Sequence, residues 1–241
     1  MFRSVLAGLA AAVLPLAVTP PAHAALDIDR FVTQQVLDLP FGGVDGAFSS
    51  VAAPEVLGGE RDAALQRLTG TEPATLLINP TGTDRLLSGE SGPSSLVEWV
   101  IVWDGADGDP AVDETGLGGV DLTQGGANTG FLVRVRTDVA ASLQIELTDT
   151  SGGSTSAELA LPGGDQTLVS RFLPFSAFDE PGIAADVGSV SLVLGGQTGL
   201  DAQLDFVIVR APEPAAGAGL AAACALLLCA RRRAGIGGPR G

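Results

Sequence analysis

Between residues 25 and 210 apolar and polar positions alternate in short runs, separated every few residues by Gly, Pro, Asp or Ser. A period of two marks a strand with one buried face, whereas an amphipathic helix would repeat near 3.6. The run Phe131 to Arg136 places Phe131, Val133 and Val135 on one side and Arg134 and Arg136 on the other. Ser142 to Thr148 repeats the arrangement, with Leu143, Ile145 and Leu147 inward and Gln144 and Glu146 outward. Joined by the short connection Thr137 to Ala141, the two runs read as a hairpin whose exposed face collects Arg134, Arg136 and Glu146. That trio is either a ligand face able to hydrogen-bond sugar hydroxyls or a cross-strand ladder of ion pairs.

Further strands are expected over 26–32, 63–68, 74–79, 85–88, 156–161, 166–172, 187–194 and 202–210, with 38–50 turn-rich. Ser95 to Trp103 is apolar on both faces and therefore reads as a central strand. Its Trp99 and Trp103 share a face and form either core or a stacking platform for a sugar ring. The two phenylalanines of Leu173-Pro-Phe-Ser-Ala-Phe178 close one end of the core. Many short strands with frequent turns and no linker imply one all-β domain, a single antiparallel β-sandwich over residues 25–210.

Both ends of the chain break this pattern. Residues 1–24 carry Arg3, an apolar run from Val5 to Val18, and Ala22-His23-Ala24, the layout of a cleaved secretory signal peptide. Residues 215–230 are uncharged and mostly Ala and Leu; as a helix they would extend roughly 24 Å at about 1.5 Å per residue. That is short of the ~30 Å apolar core of a bilayer, which suits a temporary anchor. Arg231, Arg232 and Arg233 after it would remain cytoplasmic and leave the domain outside.

Charge narrows the functions. Residues 25–210 hold 27 of the 28 acids and eight of the 13 arginines, a net charge of −19, with no Lys in the chain. A surface this acidic repels nucleic acid and other polyanions. The only His is in the signal segment and both cysteines, Cys224 and Cys229, are in the tail. The domain therefore has no disulfide and, lacking His, Cys, Lys and Tyr, none of the residues of Ser-His-Asp or Cys-His catalysis. A carboxylate pair for glycoside hydrolysis is the one enzymatic route left. The longest loop, 104–130, is rich in Asp and Gly. Asp104, Asp107, Asp109 and Asp113 form a calcium-binding candidate there, because hard cations take clustered oxygens. A solvated acidic turn is the alternative, since Asp and Gly are also turn residues.

The tail carries a resemblance. Pro212-Glu213-Pro214, the apolar span and the Arg cluster together resemble the PEP-CTERM sorting signal of Gram-negative bacteria. The resemblance implies recognition of Pro212, Glu213 and Pro214 by an exosortase, retention through Arg231, Arg232 and Arg233, and removal of the tail. A second resemblance covers about residues 115–210. The segments Gly-Gly-Val-Asp-Leu-Thr, Phe-Leu-Val-Arg-Val, Leu-Pro-Phe-Ser-Ala-Phe and Leu-Asp-Phe-Val-Ile-Val are similar to galactose-binding-like jelly rolls. It implies a fold and no ligand residues. The expectation is a non-enzymatic protein that passes through an inner-membrane intermediate to the cell surface or the exopolysaccharide matrix. The alternative is a carbohydrate-binding module, calcium-supported or not, with a glycosidase third.

Overall fold

A computed structural model describes residues 25–211. The segments expected to be a signal peptide, over 1–24, and a sorting tail with an apolar span, over 212–241, lie outside the described residues. Among the described residues no helix is long and apolar enough to cross a membrane.

Thirteen strands are described: β1 (Leu26–Asp29), β2 (Gln35–Leu39), β3 (Gly46–Ala52), β4 (Glu60–Thr69), β5 (Ala74–Ile78), β6 (Leu87–Ser91), β7 (Leu96–Trp103), β8 (Gly130–Thr137), β9 (Ala141–Asp149), β10 (Ser154–Leu161), β11 (Val169–Pro174), β12 (Val187–Gly196) and β13 (Asp201–Arg210). They form two antiparallel sheets. Sheet A runs β11-β8-β13-β6-β5-β2, with β1 also on β13, and sheet B runs β10-β9-β12-β7-β4-β3. The expected all-β sandwich is thus present.

The alternation seen in the sequence becomes the division between core and surface. Phe131, Val133 and Val135 of sheet A and Leu143, Ile145 and Leu147 of sheet B are all buried and contribute to one core. β7 lies between β12 and β4, the central position expected of a strand apolar on both faces. Trp99 and Trp103 are both fully buried, which rules out the stacking platform. Phe175 and Phe178 pack on Phe131 at ring-centroid distances of 5.6 and 6.1 Å, closing the core at that end.

Two expectations are corrected. β8 and β9 do not pair as a hairpin: β8 lies between β11 and β13, and β9 between β10 and β12. The chain between Thr137 and Ala141 instead crosses the sandwich from sheet A to sheet B. Alternation shows which face of a strand is buried, but it reads the same whether the next strand lies beside it or across the core. The segment over 38–50, expected to be turns, contains the end of β2 and much of β3. β3 is an edge strand whose inward residues include the small Ala47 and Ser49, so its periodicity is weak.

A polar network is buried where β1, β2, β4 and β7 meet. The Arg61 guanidinium donates to Asp29 Oδ2 at 2.9 Å and to Gln35 Oε1 at 2.9 Å. Trp103 Nε1 donates to the same Asp29 oxygen at 3.1 Å, and the Phe31 N–H donates to Asp29 Oδ1 at 2.6 Å. The ion pair is fully shielded from solvent on both sides.

Candidate functional site

The arginines and Glu146 do not form one site. Arg134 and Arg136 stand on the outer face of sheet A, and Glu146 on the outer face of sheet B, with the core between them. Arg134 is paired with Asp205 at 2.8 Å, and Arg136 donates to Gln203 Oε1 at 2.8 Å. Arg136 also borders a recess of about 210 Å³ with Ser88, Glu90, Asp138 and Asp201. Burial and the neighbouring carboxylates of Asp138 and Glu90 push Asp201 above the usual carboxylate range. Glu90, Asp138, Asp165 and Asp201 crowd this recess around Arg136, a strongly charged lining that is a poor match for a neutral sugar ring.

The outer face of sheet B has a different character. Its register aligns Phe48, Ala64, Val100, Val193, Gln144 and Glu158 in one row across six strands. The adjacent row is Gly46, Gln66, Glu98, Gly195, Ser142 and Ala160. At about 4.8 Å between neighbouring strands, each row spans roughly 24 Å. The middle is low and apolar, formed by Ala64, Val100 and Val193, and carboxylates and amides stand beside it. Gly195 keeps the floor low, since a β-carbon there would come within 3.1 Å of Glu98 Cγ. Leu68, Leu96, Glu98, Ser142 and Gln144 border a recess in this face. At the β3 edge Phe48 is 67% exposed, and Leu68 is exposed further along β4. Phe48 was missed in the sequence because it falls in the segment read as turns. Its signal was an aromatic at an outward position of a weakly alternating run.

The next row, Ser50, Asp62, Val102, Ser191, Glu146 and Ser156, leads under the long 104–129 loop. The loop lies against the sheet: the Glu114 carbonyl oxygen sits 1.9 Å from where a β-carbon on Gly188 would be, so only glycine allows the approach. The Leu117 and Val120 N–H groups donate to the carbonyls of Gly188 and Val187 at 2.9 Å each. Covered in this way, Asp62 and Asp104 are buried although both point outward from sheet B.

Of the four aspartates expected to bind calcium, Asp104 and Asp107 turn their carboxylates toward β4, whereas Asp109 and Asp113 use theirs in local turns, although the Asp113 N–H still donates to Asp104 Oδ2 at 2.7 Å. Asp109 Oδ1 accepts the Ala111 N–H at 3.0 Å, and Asp113 Oδ1 accepts from both the N–H and the hydroxyl of Thr115 at 2.9 Å. These bonds hold Asp113 below its ordinary range. Both side chains thus cap local turns. Asp104 lies beside Asp62, and Asp107 meets Glu60 and Asp62, one oxygen of each within 4.8 Å of the others. Glu60 and Asp62 come from β4, more than forty residues before the loop, so no local spacing pointed to them.

No family model matches the chain, and no curated protein matches it in sequence. Solved structures similar to it include PfGH50B, at 8% identity and a TM-score of 0.41 over 62% of this chain and 22% of that one. The family 11 carbohydrate-binding module of the cellulosomal cellulase Lic26A-Cel5E of Clostridium thermocellum matches at 11% identity and a TM-score of 0.33, over 75% of this chain and 96% of the module. The agarase AgWH50C matches at 10% identity and a TM-score of 0.42, over 79% of this chain and 25% of the agarase. The chain thus spans about a quarter or less of the two longer proteins. At these identities and overlaps the likeness transfers no ligand and no residue.

Proposed function

We propose that the domain is a non-enzymatic carbohydrate-binding sandwich of the jelly-roll type that holds extracellular polysaccharide across the outer face of sheet B. One observation carries this reading: an exposed phenylalanine at the edge of a shallow apolar strip that is flanked by Glu98, Gln144 and Gln66. Sugar rings have an apolar face and a rim of hydroxyls, so they are held by an aromatic or aliphatic floor with carboxylates and amides around it. In the same reading the signal peptide over 1–24 exports the chain. The Pro212-Glu213-Pro214 tail is then processed by an exosortase, and the domain is delivered to the cell surface or matrix. With no His, Cys, Lys or Tyr in the domain, binding without turnover is the role its chemistry supports.

The test is affinity electrophoresis of the full chain in the source bacterium's own exopolysaccharide and in a panel of neutral glycans. Phe48→Ala is expected to weaken retardation about tenfold, roughly 1.4 kcal/mol. It should leave the melting temperature unchanged, because an exposed ring contributes little to stability. Arg134→Ala, on the opposite sheet, is expected to bind as the parent does. Equal binding by parent and Phe48→Ala would remove sheet B from the proposal.

A further inference from the structure

Asp62 is 2% exposed and Asp104 1% exposed, and neither has a basic partner among the described residues. Both carboxylate oxygens of Asp62 and the Oδ1 of Asp104 are buried with no donor in hydrogen-bond geometry, although the Ser50 hydroxyl and the Asp62 and Asp104 carboxyls lie close to one another. A buried carboxylate in that condition is costly unless a proton or a cation neutralises it. Around it, the remaining donors are committed in a consistent way. Glu60 Oε1 accepts from Ser50 Oγ at 2.6 Å and from the Gly108 N–H at 2.9 Å. Asp107 Oδ1 accepts from the Asp109 N–H at 2.9 Å, and Asp104 Oδ2 from the Asp113 N–H at 2.7 Å. Each of these bonds fixes one oxygen of a carboxylate and leaves the other without a donor.

We propose that Glu60, Asp62 and Asp107 ligate one calcium ion that clamps the long loop onto the end of sheet B. Oxygens within 4.8 Å of one another match the span across an ion bound at about 2.4 Å to each. Magnesium needs a tighter octahedron near 2.1 Å and releases its waters reluctantly, and zinc prefers the His and Cys that this domain lacks. Asp104 lies beside Asp62 outside the ligand trio, and water completes the shell. The ion joins β4 to a loop reached more than forty residues later, so its effect is to fix the 104–109 end of a segment whose later part is already held by Leu117, Val120 and Leu122 against the core.

The proposal does not depend on glycan binding, and its test contains no glycan. The full chain is stripped with EGTA and dialysed against radiolabelled calcium with excess magnesium, and its melting temperature is recorded with and without calcium. The expected result is one calcium per chain and a rise of roughly 5–10 °C. Asp62→Asn is expected to abolish both, while Asp109→Asn and Phe48→Ala retain both. Absence of uptake, or uptake unchanged in Asp62→Asn, overturns the site. Should Asp62→Asn fail to fold, Asp107→Asn replaces it. Asp107 is exposed and the amide oxygen still serves the Asp109 N–H, so unchanged uptake there is equally decisive against the proposal.

Discussion

Arg61 occupies a position on β4 that alternation assigns to the core, between Ala63 and the turn preceding the strand. A guanidinium is tolerated there because Asp29, Gln35 and the Thr33 carbonyl accept its hydrogens inside the sandwich. Burial pushes Asp29 upward, and Arg61 with the Phe31 and Trp103 N–H donors pulls it back. The pair gives little net stabilisation as such, but breaking it leaves a buried charge with no counterion. Arg61→Met is therefore expected to cost about 3–5 kcal/mol, a fall in melting temperature of roughly 6–15 °C for a domain of this size. Thermal denaturation measures it, and a change of only a degree or two would show that Asp29 finds another partner. Adding Asp29→Leu to Arg61→Met should recover much of the loss, since neither charge then remains buried. None of this was visible along the chain, where Asp29 and Arg61 are separated by 32 residues and each reads as a surface charge.

Strand faces and strand neighbours were legible to different degrees. The inward residues of β7, β8 and β9 were apparent from their spacing, because burial follows directly from a side-chain period of two. In β13 a register shift after Leu204 breaks the expected alternation and turns Val207 and Val209 into the core instead of Phe206 and Ile208. The partners of β8 and β9 were not, and the reading that joined Arg134, Arg136 and Glu146 failed with them. Contact between the sheets depends on particular close approaches. Gly89 of β6 lies flat against the Trp99 ring of β7, where a β-carbon would fall 2.6 Å from a ring atom. The Trp99 Nε1–H is meanwhile held by the Thr75 carbonyl at 3.1 Å, so the ring is not free to withdraw. Gly89→Ala is thus expected to destabilise the domain by about 1–3 kcal/mol through overpacking. Chemical denaturation would check it, and an unchanged midpoint would mean that the two sheets separate more easily than their packing implies.

At the scale of the whole molecule, the sandwich presents two unlike outer faces. Sheet A carries paired arginines and an acidic recess; sheet B carries the exposed Phe48, the low apolar strip and the covered acid cluster. The sorting-signal reading concerns the ends of the chain and stands on their residues alone. It expects Glu213→Ala to accumulate in the inner membrane with its tail intact, while the parent is released in a shorter form. Fractionation and immunoblotting would decide it, and normal release of the variant would end that proposal. Release and glycan binding are separable, because Phe48→Ala leaves the tail unaltered and Glu213→Ala leaves sheet B unaltered.

The amino-acid sequence by itself determined that the domain is built of strands, which faces of the regularly alternating strands turn inward, and which catalytic groups it lacks. These follow from periodicity and composition, properties that each segment has independently of where it lies. The tertiary structure alone decided which strands are neighbours, that the tryptophans are core, and that Phe48 borders a face. It also decided that Glu60 and Asp62 meet the Asp104–Asp107 loop. Each of these is a contact between distant segments, set by how two sheets pack and cross, and no local spacing of residues encodes it.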